Sequence, residues 1–303
     1  MKRRRINMTD VMTHRGINVA PKRESLWSKA FQKFRHDKIG MLSLTVVLIF
    51  FVIALLVWCG LIGQHWDELL ANGRLGPSMQ YWFGTTINGQ DILQRSLYST
   101  KTAFQVGLSV AFFSIILGGG FGALMGYYSN TWLDEFVLWL MNSIDCIPYF
   151  LLVAAIAVAL QDNPYAMHIA MIVAFWTSTA RVIRAEVIKL KNMEFTEAAH
   201  SLGVPTLRII FRHLLPNTLH LLLVDMTLLF ITAIKSEVIL SFLGLGVKDS
   251  ISWGVMIAEA STEVTSGHFC NFFAASIPLF ILVLAFNMFS DSLQDALDPR
   301  KVA

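Results

Sequence analysis

The 303-residue sequence has little charge. Only 15% of its residues are Asp, Glu, Lys or Arg, whereas 55% are hydrophobic, and a typical soluble domain has about 25% charged residues. Cysteine is also scarce: Cys59, Cys146 and Cys270 each lie in or beside an apolar run, with no CxxC spacing. These shortages exclude an ordinary soluble enzyme, a disordered chain and a disulfide-stapled domain. They indicate a protein that crosses a membrane several times.

The usual catalytic motifs are missing as well. The sequence contains no Gly-Lys dipeptide, and therefore no GxxxxGK[ST] phosphate-binding loop, and it has neither HExxH nor GxSxG. A glycine-rich stretch at 118–122 lies inside an apolar run without a lysine, so it does not fit a phosphate cradle. We expect a chain that is not an enzyme and that carries no cofactor or metal of its own.

Six runs are apolar and long enough to cross a bilayer, which takes about 20 helical residues. Backbone groups in lipid must be satisfied within the protein, and these runs do not alternate as barrel strands do. The sequence therefore predicts an all-α fold with six transmembrane helices. The runs cover 39–63, a stretch between 101 and 134, 136–161, 163–180, 216–239 and 269–290.

Basic residues are distributed unevenly between the two sides. If the N-terminus is inside, 19 Lys and Arg residues fall on cytoplasmic segments and five on outer ones, which predicts that both termini are cytoplasmic. Residues 1–38 read as a basic cytoplasmic tail with an interfacial helix. Attraction to anionic lipid explains this tail better than binding to nucleic acid, because a span follows at once. The first span reads as a retained anchor rather than a cleaved signal peptide.

The segment between the fourth and fifth spans has a helix–bend–helix pattern. Helix-favouring residues continue to Leu202, and Gly203 followed by Pro205 ends that helix. A second short helix is expected after Pro205, and Pro216 closes it before the fifth span. An amphipathic hairpin lying on the membrane surface would show the same pattern.

Particular residues in this segment carry a resemblance. They are, in chain order, Glu197, Ala198, Ala199, Gly203, Leu215 and Pro216. This arrangement resembles the EAA loop of binding-protein-dependent ABC importer permeases. Arg212-His213 before Leu-Pro-Asn is similar to the peptide and nickel branch of that family, although His213 stands where the family usually has an apolar residue.

Four further segments are similar to the same family, so the resemblance covers nearly the whole chain. Residues 83–91 resemble an FGTDxxGRD stretch, with Thr86 in place of Asp and Gln90 in place of Arg. The outer segment 240–254 and the C-terminal piece 293–300 are similar as well, although just before the C-terminal piece Ser290 and Ser292 stand where the family usually has glycines. Residues 27–39 resemble the first-helix region of oligopeptide C-type subunits.

The resemblance implies a type I ABC importer permease fold and a division of the chain. The divisions are a tail 1–38, a first helix 39–63, a periplasmic loop 64–100, a five-helix core 101–291 that includes the coupling loop 186–216, and a C-terminal tail 292–303.

The resemblance also implies a function. The chain would form half of a pathway for dipeptides or oligopeptides in the bacterial inner membrane and would couple to ATPases through the EAA residues. Its partners would be a second, B-type permease subunit, two cytosolic ABC ATPases that bind the ATP, an extracytoplasmic solute-binding protein and membrane lipid. No nucleic acid is expected.

Ionisable and small residues inside the spans are the remaining candidates. Asp225 either lines the pathway or makes a hydrogen bond between helices, because a carboxylate in lipid is costly. Asp145, shortly before Pro148, is expected at a kink whose freed carbonyl is satisfied locally. Gly118, Gly122 and Gly126 have the four-residue spacing that lets transmembrane helices approach closely, and a moving gate surface is the other possibility.

Other functions remain open at this point. Within the family, the alternatives to a short peptide as the solute are a nickel chelate, a glycoside and an antimicrobial peptide. Outside the family, an ion-coupled secondary transporter would often show an inverted repeat, and none is found across the two halves of the sequence. A membrane scaffold without transport activity would tolerate the loss of Glu197 and Gly203.

Overall fold

The computed structural model describes residues 26–71 and 73–298, and helices dominate this part of the chain. Its only β feature there is an isolated bridge between Thr85 and Asp91. In chain order the elements are α1 (Leu26–His36), α2 (Lys38–Trp58), α3 (Ile92–Tyr127), α4 (Trp132–Asp145), α5 (Tyr149–Ala159), α6 (Ala166–Lys191), α7 (Glu194–Ser201), α8 (Thr206–Ile209), a π-helical turn (Ile210–Leu214), α9 (Leu215–Asn217), α10 (Leu219–Phe242), α11 (Trp253–Thr265) and α12 (Cys270–Leu297).

The helices account for the predicted membrane spans. Four of them, α2, α3, α6 and α12, are long and apolar enough to cross a membrane, and two bent pairs raise the number to six. The pairs are α4 with α5, and Thr206–Asn217 with α10. The prediction of an all-α, multi-span membrane protein is confirmed. The basic residues before position 26 and after position 298 lie outside the described residues.

The second span begins earlier than predicted. Helix α3 starts at Ile92, where the Asp91 side chain accepts a hydrogen bond from the backbone N–H of Leu93 at 2.8 Å. Its 36 residues correspond to about 54 Å, well beyond the bilayer core. The loop predicted for 64–100 therefore ends at Asp91, and Arg95 and Lys101 lie on a helix. Helix α2 likewise ends at Trp58 rather than at residue 63.

The third span is broken rather than continuous. Helices α4 and α5 meet at 90° across Cys146–Pro148, where Pro148 begins the second helix. Proline has no N–H to continue a helical ladder, which explains why the helix stops here. The kink expected at Asp145 and Pro148 is thus present as a full change of direction. The fourth span, predicted to end near residue 180, continues to Lys191.

The most extensive helix pair joins α3 and α6. A Cβ added at Gly118 would lie 2.5 Å from the Cβ of Thr179, and one at Gly122 would lie 2.6 Å from the carbonyl oxygen of Ala180. At Gly126 the corresponding distance to the Cβ of Val187 is 2.7 Å. All three glycines face α6, so their spacing produces close packing of the two helices along three turns.

Helix α1 and the start of α2 contact the end of α12, and we call this contact the elbow. Lys33 Nζ donates to the carbonyl oxygen of Asp295 at 2.6 Å, and the rings of Phe34 and Phe289 meet edge to face with centroids 5.8 Å apart. Asp37 caps α2 by accepting from the N–H of Ile39 at 3.0 Å. The first and last spans are therefore joined at one end.

The two serines that replace glycines in α12 both have partners. Ser290 Oγ lies 2.6 Å from Thr227 Oγ1 on α10. Ser292 donates to Asp37, and this hydrogen bond is the main reason that the pKa of the Asp37 carboxyl lies below its ordinary value. These hydroxyl groups connect α12 to α10 and to the elbow.

The loop before α3 is built around the stretch that resembles FGTDxxGRD. Thr85 Oγ1 donates to the carbonyl of Gly73 at 3.0 Å and accepts from the N–H of Leu75 at 2.7 Å. Gly84 has φ +77°, and a Cβ there would lie 2.5 Å from the Leu75 carbonyl oxygen. Thr86 Oγ1, at the first departure from the family pattern, accepts from the N–H of Gln90 at 3.2 Å. These hydrogen bonds therefore hold the loop in a folded-back conformation.

Two ion pairs hold this loop and the start of α3 against α11. Arg95, whose side chain is almost fully buried, donates to both oxygens of Glu259 at 2.8 and 2.7 Å, and it also donates to the side-chain oxygen of Gln90. Arg74 lies 3.0 Å from a carboxylate oxygen of the buried Glu263. This end of the bundle is thus closed by a cap that consists of the loop before α3 and α11.

Candidate functional site: the hairpin between the fourth and fifth spans

The hairpin between the fourth and fifth spans begins directly on the end of α6. Thr196 Oγ1 donates to the carbonyl of Leu190 at 2.9 Å, which ties α7 to α6. Thr196 and Ala199 are buried against the bundle, whereas Glu197 and Ala198 are exposed. Helix α7 therefore packs through one face and presents the Glu197 face to the outside.

The end of α7 is a Schellman motif centred on Gly203. The N–H of Gly203 donates to the carbonyl of His200 at 3.0 Å, and the N–H of Val204 donates to that of Ala199 at 3.2 Å. Gly203 has φ +74°, a conformation that glycine adopts without a Cβ penalty. The predicted end of the helix is confirmed, and Pro205 begins α8 as expected.

The second arm contains a π-helical turn, which the sequence analysis missed. The N–H of Leu215 donates to the carbonyl of Ile210, five residues back. Pro216 has no N–H for the carbonyl of Arg212, so the α-helical ladder is interrupted here. Asn217 Nδ2 donates instead to the carbonyl of His213 at 2.7 Å. Pro216, which lies two residues after the π turn and inside α9, was the available signal for this irregularity.

The hairpin is anchored by an apolar cluster. Ile209, Ile210 and Leu214 are completely buried. They pack with other buried residues of α3, α6, α7 and α10, namely Ala123, Ile183, Val187, Ala199 and Leu222. Because protein interiors are densely packed, the two short arms and the ends of α3 and α6 form one stiff unit.

The hairpin continues directly into the fifth span. Thr206–Asn217 and α10 meet at 65°, and between them Thr218 is fully buried with its Oγ1 donating to the carbonyl of Leu215 at 2.9 Å. No long loop therefore separates the hairpin from α10.

The outside of the hairpin is apolar. Leu202 at its tip is 83% exposed. Four other large apolar side chains of the hairpin are also exposed, and we call the five together the docking face: Met193, Phe195, Leu202, Leu207 and Phe211. Several exposed apolar side chains on one short segment are typical of a protein–protein contact.

A groove of about 720 Å³ lies beside the docking face. Glu197 and His200 line one wall, and Lys191 lines another together with Tyr127 and Tyr128. Lys191 Nζ donates to the carbonyl of Tyr127 at 2.7 Å, so its charge is held at the edge of the groove. Within residues 26–71 and 73–298 the Glu197 carboxylate forms no hydrogen bond or ion pair, and its side chain is exposed.

Asp145 contacts α6 and not the hairpin. Its carboxylate forms an ion pair with Arg181 and accepts from Thr177 Oγ1 at 3.0 Å. The sequence analysis expected a local backbone contact at the kink and missed Arg181, a residue 36 positions away. Asp145 therefore ties the break between α4 and α5 to α6.

Asp225 on α10 lies both at a contact with α6 and beside a groove. Its carboxylate accepts a hydrogen bond from Thr179 Oγ1 on α6. It also lines a groove of about 480 Å³ between α10 and the end of α12, together with His220 and Gln294. Gly118, Gly122 and Gly126 lie at the α3–α6 contact, apart from this groove.

Comparison with known proteins identifies the family. Residues 118–302 match the family model described as binding-protein-dependent transport system inner membrane component. The chain belongs to this family. Residues 25–68 additionally match the N-terminal transmembrane domain of oligopeptide transport permease C.

Relatives of this binding-protein-dependent permease share most of its length. It is 32% identical over 283 residues to the oligopeptide transport system permease protein OppC of Bacillus subtilis, covering 93% of this chain and 92% of that one. It is 33% identical to the dipeptide transport system permease protein DppC of the same organism, over 89% and 85% of the two chains. It is 31% identical to the glutathione transport system permease protein GsiD of Escherichia coli, over 90% of each.

The family places the hairpin in a multi-pass inner-membrane permease. The resemblance first noticed in the EAA residues and in 27–39 is confirmed by the two matched regions. The permease is a membrane component of a transport system, and its hairpin packs against the last turns of α3 and α6.

Proposed function

We propose that this permease is one of two membrane subunits of an ATP-driven importer of short peptides. The observation that carries the proposal is the hairpin from α7 to α9, a stiff projection with an exposed apolar face that continues into α10. Relatives named as oligopeptide and dipeptide permeases support the substrate class. A single chain supplies half of the pathway, and a B-type permease subunit supplies the other half.

The hairpin couples the permease to two cytosolic ABC ATPases. The docking face seats in a groove of an ATPase subunit, and Glu197 meets a polar or cationic group at the edge of that contact. When the ATPases close on ATP, the hairpin moves with them and α10 follows. ATP binding must favour one state by several kcal/mol, because about 1.4 kcal/mol changes a population ratio tenfold. ATP binds to the partner subunits, and this chain needs no cofactor.

The distribution of Lys and Arg supports an orientation. The end of α6 and the hairpin together carry six basic residues between 181 and 212, which favours a cytoplasmic location for this segment and for both termini. The cap formed by the 64–91 loop and α11 then faces the periplasm, where an extracytoplasmic solute-binding protein delivers the peptide. Lipid surrounds the remaining apolar surface.

Site-specific cross-linking tests the coupling role. Ala198→Cys, on the exposed face of α7, is expected to cross-link to an ATPase subunit in the assembled complex. Thr262→Cys on α11 is the matched control, because it is also exposed on a helix but lies at the opposite end of the bundle. Cross-linking to an ATPase from α11 alone, or uptake driven by a proton gradient without ATP, would contradict the proposal.

A further inference from the structure

Helix α10 has an uncovered stripe that runs from Asp225 to its end. Its buried side includes Phe230, Ile234 and Leu240, which belong to the main core. The opposite side has spacings of three and four residues, as expected for one face of a helix. The stripe consists of Asp225, Leu228, Thr232, Lys235, Ile239 and Phe242, of which Asp225 is partly buried and the others are exposed.

Lys235 is the cation of this stripe and has no counter-charge within residues 26–71 and 73–298. It borders a groove of about 410 Å³ between α10 and α12 that is otherwise lined by aliphatic and aromatic side chains and Ser276. Seven residues separate Lys235 from the end of α10, about 10 Å along the axis. An ammonium group at this depth is costly unless it meets water or an anion, and such residues commonly mark a transport pathway.

The other end of the stripe is acidic. Asp225 lies ten residues from Lys235, about 15 Å along the helix. The groove beside it is also lined by Asp295 and Asp298 from the end of α12. Along its length the stripe therefore runs from negative, next to the coupling hairpin, to positive, next to the outer cap.

We propose that this stripe of α10 recognises the two charged ends of a peptide, with Lys235 binding the terminal carboxylate and Asp225 the terminal ammonium group. Four or five extended residues cover about 15 Å, and the apolar residues Leu228 and Ile239 between the charges accept side chains of any shape. Shorter peptides contact one end at a time. The inference rests on the proposed function and specifies what the pathway reads.

Uptake of end-blocked peptides into proteoliposomes tests this inference. The complete complex with its solute-binding protein is supplied with a tetrapeptide in free, C-amidated and N-acetylated forms. Lys235→Met removes the charge but keeps an unbranched stem suited to the apolar groove. We expect this variant to import the free peptide about tenfold more slowly than wild type, with unchanged import of the C-amidated form. Because every variant works with the same solute-binding protein, the preference of that protein cancels in the comparison.

Asp225→Asn gives the complementary measurement. The amide oxygen still accepts the hydrogen bond from Thr179, so the helix contact is kept while the charge is lost. Import of the free peptide is expected to fall, with unchanged import of the N-acetylated form. Lys235→Arg should restore carboxylate discrimination. Lys101→Gln on α3, which removes a cation held against Tyr98, is the matched control and should leave all three ratios at the wild-type values.

Three outcomes would overturn the inference. Equal loss of all peptide forms in Lys235→Met, or no loss at all, would show that the lysine does not read the carboxylate. Failure of Lys235→Met alone to copurify with the second permease subunit would place its counter-charge in that subunit. In each of these cases wild-type ATP-driven peptide uptake remains, so the proposed function stands. Absence of such uptake in wild type would contradict the proposed function itself.

Discussion

Arg184 donates a hydrogen bond to each carboxylate oxygen of Asp134, from Nε at 2.7 Å and from a terminal nitrogen at 2.8 Å. The side chain of Asp134 is 1% exposed, and its second oxygen also accepts from the N–H of Asn130 at 3.0 Å. This pair joins the start of α4 to the last turns of α6, just before the coupling hairpin. The ion pair therefore fixes the end of α6, from which the hairpin begins.

Breaking this pair is expected to destabilise the permease. Asp134→Asn leaves the guanidinium without its partner in a largely buried site and should lower the free energy of unfolding by about 3 kcal/mol. Thermal unfolding of the purified complex in detergent measures the effect. Glu186→Gln, which removes an exposed ion pair with Lys189, is the control and should change stability by less than about 1 kcal/mol. Similar melting temperatures for the two variants would rule out this role.

The packing of α3 on α6 predicts a difference between two neighbouring glycines. Gly122→Ala places a Cβ 2.6 Å from the Ala180 carbonyl oxygen, so the helices must separate and stability should fall by about 1–3 kcal/mol. Gly120→Ala is the control, because no heavy atom lies within 4 Å of its Cβ position and alanine favours the helix. If both substitutions leave the yield of folded complex and its melting temperature unchanged, the α3–α6 contact is not as close as described.

The Schellman motif predicts graded effects at Gly203. Alanine is strained at φ +74°, so Gly203→Ala should cost about 1 kcal/mol of local stability, whereas Gly203→Asn should cost less because asparagine tolerates this conformation. Weakening the bend should uncouple the subunits, so ATP hydrolysis continues while peptide uptake falls in the order wild type, Asn, Ala. The ratio of uptake to hydrolysis at matched expression measures this. An unchanged ratio in Gly203→Ala would show that the bend does not transmit force.

The elbow predicts a loss of stability in acid. Because Ser292 donates to the Asp37 carboxylate, the pKa of Asp37 is lower in the folded state than in the unfolded chain, where it is about 4. The contact is therefore fully present above the unfolded pKa and is lost as the pH falls through the folded pKa. Melting temperatures between pH 6 and 3 should show a drop at the acid end that is smaller in Ser292→Ala. An identical pH profile in that variant would exclude the elbow as its source.

Local sequence patterns predicted the parts of the fold that depend on neighbouring residues. Apolar length identified the spans, Gly203 and Pro205 located the bend of the hairpin, and the spacing of Gly118, Gly122 and Gly126 matches the α3–α6 contact. Each of these features depends on residues within a few turns of one another.

The parts that were missed depend on partners distant in the chain. Arg95 was placed in a loop because an isolated charge is unfavourable in a span, but its counter-charge Glu259 lies 164 residues further on. Arg181 pairs with Asp145, and Arg184 with Asp134, so three cations that had been counted as loop or surface residues are in contacts between elements. The π turn at 210–214 depends on Pro216 and on the packing around Leu214. A rule based on neighbouring residues alone does not include that packing.

The cap between the loop before α3 and α11 has a consequence for how the protein is made. Arg74 and Ile87 both contact Glu263, which follows Ile87 by 176 residues. During synthesis the early loop leaves the ribosome long before the helix that secures it. The cap therefore reaches its final arrangement only near the end of translation, and a chain cut short before α11 would leave that loop untethered.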